Sequence, residues 1–232
     1  MTVKNQQFIL SQIKNIKDRI NNACSQAKRS QNSVTLIGAS KRQSPELIKG
    51  FIEQGLNNLG ENYLQEAISK QNALKELSLT WHFIGQIQSN KTKTIAMHFN
   101  WVHGVDRLKI AQRLASQNTS KSPINLLIQL NPDEEQSKGG VNLRDAGELS
   151  DQIAQLDNMT LRGFMMIPKA RESTSEQNKV FARAKELLTL TNQQYGLSMD
   201  SLSMGMSGDL EAAIAQGSTM IRVGTDLFGA RS

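Results

Sequence analysis

Two hydrophobic patterns alternate along this chain. Short apolar runs rich in β-branched residues recur from residue 34 onward, and longer segments with apolar residues three and four positions apart separate them. The first pattern is typical of buried strands and the second of amphipathic helices. The predicted strands are 34–39, 56–59, 81–87, 101–105, 124–130, 161–167, 202–206 and 219–223. The predicted helices between them are 45–54, 61–77, 90–98, 106–117, 144–156, 175–195 and 209–216.

Strict alternation of strand and helix favours a parallel sheet, and eight repeats in about 200 residues favour its closure into a (β/α)8 TIM barrel. An open, doubly wound sheet is the alternative. It is less favoured because no Gly-x-Gly-x-x-Gly motif follows the first strand. The expected fold class is therefore α/β, with a single closed barrel.

An additional helix is predicted ahead of the first strand, over residues 5–28. Ile9, Ile13, Ile16 and Ile20 fall on one face of it. Only residues 225–232 follow the last strand, too few for a covering helix. We therefore expect residues 1–30 to pack on the barrel in that outer position. No Pro- or Gly-rich linker divides the chain, so residues 1–232 are expected to form one domain.

Composition places the chain among globular proteins, with 232 residues, 38% of them hydrophobic. No apolar run of 18 residues is present and the N-terminus lacks the layout of a signal peptide, so we expect neither a membrane protein nor a secreted one. The lone Cys24 has no partner for an internal disulfide, and its setting favours a packing role. A cytoplasmic location agrees with these features.

The net charge of +6 also fits a nucleic-acid-binding protein, but its lysines and arginines are scattered and only 5% of residues are aromatic. No stacking platform is visible. A solvated basic surface is the favoured interpretation, and such a surface would also suit an anionic small ligand. We therefore expect no nucleic-acid partner.

Polar and glycine residues gather where the last two strands end. Ser207-Gly208-Asp209 follows strand seven and Gly224-Thr225 follows strand eight. Barrels often bind phosphate at these two ends, through hydroxyls and the amides of glycine-containing loops. Each feature alone is also explained by helix capping or a turn. Their coincidence at adjacent strand ends favours a phosphate site.

Lys41 follows strand one, and closing the barrel makes strand one the neighbour of strand eight. A lysine beside a phosphate site suits imine formation with a phosphorylated aldehyde, which describes pyridoxal 5′-phosphate. Pairing of Lys41 with a phosphate or a carboxylate, without covalent chemistry, is equally compatible with its position.

Arg222 shares strand parity with Gly224, so it is predicted to face into the barrel. A pyridine nitrogen would serve as its acceptor, and so would a carboxylate such as Asp209. Metal binding is not predicted, because the three histidines show no ligand spacing and one cysteine does not complete a zinc site. His82, inside strand three, is expected to be structural.

The polar segment 131–142 follows strand five. It is interpreted either as a lid over the mouth or as a surface loop.

Several of these segments resemble the pyridoxal-phosphate homeostasis protein family, which is related to the N-terminal domain of alanine racemase. The matching segments are Gly38-Ala39-Ser40-Lys41, Gly60-Glu61-Asn62-Tyr63-Leu64-Gln65-Glu66, residues 81–91, Val105-Asp106-Arg107-Leu108, residues 202–207 and 209–214, Arg222-Val223-Gly224-Thr225 and Phe228-Gly229-Ala230-Arg231. They run in order from about residue 34 to the end, and motifs of this length are specific. Gly208 stands where an acidic residue is usual in that family.

The resemblance implies a barrel like the alanine racemase N-terminal domain, with pyridoxal phosphate held as an internal aldimine on Lys41. It implies phosphate contacts from Ser207, Gly224 and Thr225 and places Arg222 at the pyridine nitrogen. Asn62, Met204 and Gly205 would belong to the surrounding pocket.

The family is associated with vitamin B6 balance and with amino- and keto-acid metabolism, without an established reaction. We therefore expect a monomeric, non-catalytic protein that holds the cofactor, with pyridoxal-phosphate-dependent apoenzymes as recipients.

An amino-acid racemase is the alternative function. An imine lysine with an arginine partner suits proton abstraction at Cα. That reaction also needs a second acid/base on the opposite ring face, which in alanine racemases comes from a C-terminal domain. The sequence ends at Ser232, directly after the barrel, so racemase activity is the less favoured expectation.

Overall fold

The computed structural model describes residues 3–120, 122–135 and 138–229. Eight parallel strands in this part of the chain form a closed barrel in the order β1 to β8. The strands are β1 Thr35–Ala39, β2 Asn58–Glu61, β3 Thr80–Phe83, β4 Trp101–Val105, β5 Ile124–Leu130, β6 Met159–Met166, β7 Ser201–Ser203 and β8 Met220–Val223. The predicted TIM barrel is confirmed.

Helices alternate with the strands, as the apolar spacing predicts. They are α1 Val3–Gln26, α2 Pro45–Ile52, α3 Leu64–Ala73, α4 Thr92–His98, α5 Leu108–Gln117, α6 Ala146–Ala154, α7 Thr174–Tyr195, α8 Leu210–Ala215 and α9 Thr225–Phe228. Of the helices in the described ranges, none has both the length and the apolar character that a transmembrane span requires.

Pairing of β1 with β8 closes the barrel, with Thr35 opposite Met220 and Ile37 opposite Arg222. A small apolar cluster of Ile37, Leu127, Met165 and Met220 fills the inside. The larger apolar core lies between the strands and the helices. Because β1 and β8 are hydrogen-bonded neighbours, the loops that follow them open onto the same part of the mouth.

The N-terminal helix α1 packs against α2, α8 and α9. Its predicted apolar face is buried, since Ile9, Ile13, Ile16 and Ile20 are each at most 5% exposed. The helix therefore covers the seam where the last and first strands meet. After β8 the described chain adds only the single turn α9.

Two predicted strands are too long. The third strand ends at Phe83 and the seventh at Ser203, although apolar residues continue to positions 87 and 206. Ile87 and Met204 are buried in the core between sheet and helices. Their hydrophobicity therefore reflects packing of the following loops and not sheet pairing.

Three sequence predictions fall partly outside the described residues, one of them the packing of residues 1–30, which includes Met1 and Thr2. Ala230 and Arg231 belong to the last motif of the resemblance, and Gln136 and Ser137 belong to the segment interpreted as a lid or a surface loop.

Candidate functional site

Lys41 lies in a tight turn at the end of β1. The turn begins at Ser40, whose backbone N–H still donates to the carbonyl oxygen of Gly60 on β2 at 3.0 Å. It closes through a hydrogen bond from the N–H of Gln43 to the carbonyl oxygen of Ser40 at 3.1 Å. Lys41 itself is half-buried. In a parallel barrel, side chains at this end of the strands line the mouth.

An ionic cluster that sequence analysis missed lies behind this turn. Lys70 on α3 is 3% exposed, and its Nζ atom lies 2.7 Å from a carboxylate oxygen of the fully buried Glu61 and 2.7 Å from one of Glu66. Burial raises the pKa of Glu61, and the hydrogen bonds from Lys70 and Ser40 oppose that change. The i, i+4 spacing of Glu66 and Lys70 was a visible signal of a pair on one helix face.

The loop after β8 lies next to the end of β1. A Cβ atom placed on Gly224 would lie 3.6 Å from the Cβ and carbonyl oxygen of Ala39, the last residue of β1. Gly224 is half-buried and Thr225 is exposed. The structure thus brings Gly224, one part of the predicted phosphate site, next to the residue two positions before Lys41.

The turn after β7 is closed by Asp209. Its side-chain oxygen accepts a hydrogen bond from the N–H of Met206 at 2.6 Å, and its own N–H donates to the carbonyl oxygen of Met206 at 3.2 Å. Ser207 lies inside this turn and is half-buried. Asp209 therefore shapes the loop that presents Ser207.

Arg19 on α1 contacts both the loop after β7 and the segment after β8. Its guanidinium donates to the carbonyl oxygen of Ser207 at 2.8 Å and forms ion pairs with Glu211 at 2.7 Å and Asp226 at 3.0 Å. Hydrogen bonding to Glu211 is the largest influence that raises the pKa of Arg19. No functional residue is predicted on this helix, because a lone arginine carries no local signal of partners so distant in sequence.

Arg222 lies inside the barrel, as strand parity predicted. Its Nη1 atom donates to both the carbonyl oxygen and Oγ of Ser203 at 2.7 Å, and Nη2 donates to the carbonyl oxygen of Met166 at 3.0 Å. Burial lowers its pKa to about 10, an effect that the carboxylate of Asp209 opposes. The guanidinium therefore stays charged at neutral pH, and its hydrogen bonds go to Ser203 and Met166, while Asp209 accepts from Met206.

A buried hydrogen-bonded chain continues from Ser203 across the barrel. His103 Nδ1 lies 2.9 Å from Ser203 Oγ, His82 Nδ1 lies 3.0 Å from His103 Nε2, and His82 Nε2 lies 3.0 Å from Asn58 Oδ1. Burial lowers the pKa of His82 to about 3 and that of His103 well below its usual value. Both imidazoles are therefore neutral.

The protons of this chain have one consistent direction. A guanidinium only donates, so Ser203 Oγ accepts from Arg222. At the other end Asn58 Oδ1 only accepts, so neutral His82 accepts at Nδ1 from His103, and His103 Nδ1 accepts from the Ser203 hydroxyl. Each histidine then donates from Nε2, His103 to His82 and His82 to Asn58. Every group in the chain is satisfied, which matters because an unpaired polar group at this depth is destabilising. The predicted structural role of His82 agrees with these contacts.

Asn62 follows β2 and lines two cavities of about 520 and 270 Å³, neither of which is lined by Lys41, Ser207, Gly224 or Thr225. Its Oδ1 atom is buried and has no hydrogen-bond donor among the described residues. A buried acceptor without a donor is suited to a polar ligand group. Asn62 therefore offers an unused acceptor to these cavities, and its predicted contact with the cofactor stays a prediction.

Met204 and Gly205 have packing roles in this structure. Met204 is 1% exposed and belongs to the core between sheet and helices. Gly205 has a φ of +98°, and a Cβ there would lie 2.6 Å from Cβ of Ala213 on α8. These contacts explain both residues without a ligand, and their predicted contribution to a pocket stays a prediction.

The predicted site residues suit pyridoxal phosphate by type. The turn that carries Lys41 and the Gly224-Thr225 loop lie side by side at the β1–β8 seam, an arginine lies inside the barrel, and the acceptor Oδ1 of Asn62 has no donor in the described part of the chain. By its fold the protein is an eight-stranded parallel barrel, and the residue types at its mouth suit a phosphorylated aldehyde.

Comparison with known proteins names the family. The model of the family described as "Alanine racemase, N-terminal domain" matches residues 13–232. A pyridoxal phosphate homeostasis protein of Pseudomonas aeruginosa is 47% identical over 224 residues, which is 96% of each chain. Its namesake in Escherichia coli K12 is 41% identical over 220 residues, covering 93% of this chain and 94% of the relative. The chain belongs to the pyridoxal phosphate homeostasis proteins, within the alanine racemase N-terminal domain family.

Solved structures agree with this assignment. PipY of Synechococcus elongatus with PLP bound has a TM-score of 0.81 and 35% identity, and the match covers 92% of this chain and all of that one. An alanine racemase of Clostridium difficile has a TM-score of 0.71 at 14% identity, covering 97% of this chain and 59% of that one. The second similarity concerns the fold alone.

Proposed function

We propose that this protein binds pyridoxal 5′-phosphate at the barrel mouth, with Lys41 as the residue that bonds covalently to its aldehyde. The observation that carries the proposal is the meeting of the β1 and β8 ends, where the Cβ position of Gly224 is 3.6 Å from Ala39. A lysine and a phosphate-binding loop on adjacent strand ends can hold the aldehyde and the phosphate of one small molecule.

Each side chain has a defined part in this proposal. Ser207 and Thr225 offer hydroxyls to the phosphate, and the backbone at Gly224 allows close approach of an amide. Asn62 supplies its buried acceptor at the mouth. Lys41 must release a proton from Nζ before that nitrogen bonds to carbon, and water leaves as the carbon–nitrogen double bond forms.

Arg222 is the proposed partner of the pyridine nitrogen. Because Arg222 stays charged at neutral pH, it donates a hydrogen bond without giving up its proton, so the nitrogen stays unprotonated. When bound, pyridoxal phosphate supplies an aldehyde and an electron-accepting ring, and an unprotonated nitrogen makes that ring a weaker electron acceptor.

We further propose that the chain acts as one domain that holds pyridoxal phosphate in the cytoplasm as a monomer and supplies it to dependent apoenzymes. The names of the Pseudomonas aeruginosa and Escherichia coli relatives, which describe homeostasis and no reaction, support this role. Production of D-alanine from L-alanine by the purified protein, faster than by free pyridoxal phosphate, would favour the racemase alternative instead.

The decisive experiment is borohydride reduction of the protein loaded with pyridoxal phosphate, followed by peptide mass analysis. Borohydride makes a lysine–aldehyde bond permanent, so a pyridoxyl phosphate mass on the peptide containing Lys41 is expected. Lys41→Ala should lose the adduct, while Lys49→Ala, on the neighbouring helix α2, should keep it. An adduct on another lysine, with Lys41 unmodified, would refute the proposal.

A further inference from the structure

We propose that Glu61, Glu66 and Lys70 form a turn clamp that positions Lys41 for bonding to an aldehyde. The inference rests on the proposed function of Lys41. It gives these three residues a positioning role, because each acts through the backbone or side chain of a residue adjacent to Lys41.

The clamp holds the residue before Lys41 at two points. Lys70 Nζ donates to the carbonyl oxygen of Ser40 at 2.5 Å, and Ser40 Oγ donates to a carboxylate oxygen of Glu61 at 2.7 Å. Ser40 is fully buried. Both its backbone and its side chain are therefore attached to the ionic cluster.

The clamp also holds the residue after Lys41. The backbone N–H of Arg42 donates to Oε1 of Glu66, the same oxygen that accepts from Lys70 Nζ. Arg42 has a φ of +61°, a left-handed conformation that side-chain-bearing residues rarely adopt. Such a conformation persists only when surrounding contacts enforce it, and Glu66 provides one. The direction in which the chain leaves Lys41 thus depends on Glu66.

Lys70 links the two halves of the clamp. Its three hydrogen bonds go to Ser40, Glu61 and Glu66, which uses all three ammonium donors. Buried ion pairs of this kind stabilise a fold little better than apolar side chains of the same size. They do hold attached groups in one geometry, and the attached groups here flank Lys41 on both sides.

Two ligands separate positioning of Lys41 from a general effect on the pocket. Pyridoxal 5′-phosphate offers the aldehyde, the ring and the phosphate. Pyridoxine 5′-phosphate has the same ring and phosphate with an alcohol in place of the aldehyde, so it forms no bond to lysine. A clamp that positions Lys41 affects binding of the first ligand and spares that of the second.

The test is Glu66→Ala, which removes the acceptor for Arg42, measured by titration with both ligands. We expect about tenfold weaker binding of pyridoxal phosphate and slower formation of the borohydride-reducible bond, with pyridoxine phosphate affinity within about twofold of the wild-type value. Glu66→Gln keeps an oxygen that can accept from the Arg42 N–H and should restore most of the affinity. Glu76→Ala is the matched control, since that side chain is 87% exposed.

Lys70→Met tests the other half of the clamp, with Lys75→Met as its control. Equal weakening of both ligands in the Glu66 variant would mean general damage to the pocket and would overturn the inference, as would wild-type binding of both ligands. If Glu66→Ala does not fold, Glu66→Gln becomes the test. Failure of Glu66→Gln to restore binding of pyridoxal phosphate would then overturn the inference. Absence of a Lys41 adduct in the wild-type protein would instead refute the proposed function itself, and the clamp with it.

Discussion

Arg19 and Ser207 are 188 residues apart in sequence, yet the guanidinium of Arg19 donates a 2.8 Å hydrogen bond to the carbonyl oxygen of Ser207. The same guanidinium forms ion pairs with Glu211 and Asp226. The N-terminal helix is therefore attached to both loops that are proposed to hold phosphate. This attachment links the stability of the barrel seam to ligand binding.

Replacing Arg19 by alanine is expected to lower both the stability of the fold and the affinity for the ligand. Loss of these charge-assisted hydrogen bonds should lower the free energy of unfolding by about 1–2 kcal/mol and reduce affinity for pyridoxine phosphate several-fold, because the loops lose a shared anchor. Thermal melting and ligand titration provide the measurements. Lys14→Ala on the same helix removes an exposed ion pair with Asp18 and should change neither. Unchanged ligand affinity in Arg19→Ala would separate α1 from the phosphate site.

The two glycines near the mouth should respond differently to alanine. Gly224 has a φ of −111°, and an added Cβ would find ordinary contacts at 3.6 Å, so Gly224→Ala should fold with nearly wild-type stability. If the phosphate approaches this backbone, the new methyl group should weaken pyridoxine phosphate binding about tenfold or more. Wild-type affinity of Gly224→Ala would remove Gly224 from the proposed site.

Gly205→Ala should instead destabilise the fold. Its φ is +98°, and the added Cβ would lie 2.6 Å from Cβ of Ala213 and 2.8 Å from Cδ1 of Ile221. Overpacking of this kind typically lowers the free energy of unfolding by about 1–3 kcal/mol, and the positive φ adds to it. Chemical denaturation measures the effect. A fully stable Gly205→Ala protein would contradict the packing role assigned to this glycine.

Ser203→Ala should destabilise the protein by about 1–3 kcal/mol, because it removes an acceptor from buried Arg222 and a donor from His103. Denaturant unfolding measures the loss. Ser201→Ala is the control on the same strand, since Ser201 Oγ donates to Asp200 and not to the buried chain. Equal losses of stability in the two variants would show that the buried hydrogen-bonded chain from Arg222 to Asn58 adds nothing specific to stability.

Stability should fall as pH drops below about 6.5. The folded protein keeps His82 neutral down to a pKa of about 3, while the unfolded chain binds a proton near the usual value of 6.5. The unfolded state therefore binds more protons in this window, and His103 acts in the same direction. Each histidine contributes a slope of up to about 1.4 kcal/mol per pH unit.

Replacing one histidine isolates this effect. Glu61 acts in the opposite direction at lower pH, because burial raises its pKa and the folded state then binds the extra proton. Denaturation of wild type and His82→Phe between pH 6.5 and 5 should therefore give a smaller slope for the variant. Identical slopes would mean that His82 does not stay neutral in the folded protein.

The sequence by itself determined the architecture of the barrel and which strand ends carry polar and glycine residues. Short apolar runs and period-3.6 hydrophobic patterns are local, so eight strands with intervening helices were visible without coordinates, and strand parity was enough to predict that Arg222 faces inward. Lys41, Ser207, Gly224 and Thr225 could be predicted as site residues because strand ends and glycine-containing loops carry local signals. The ends of β3 and β7 were misjudged because buried loop residues are as apolar as buried strand residues.

Only the tertiary structure decided which groups hold those residues in place. Arg19 meets Glu211 across 192 positions, His103 meets Ser203 across 100, and Lys70 reaches Ser40 across 30. Such contacts depend on which side chains converge when the barrel closes, and no local pattern encodes the three-dimensional position of a charge. The local pattern therefore predicts that Lys41 lies at the mouth. The orientation of the turn that carries Lys41 is set instead by side chains that pack against it once the barrel has closed.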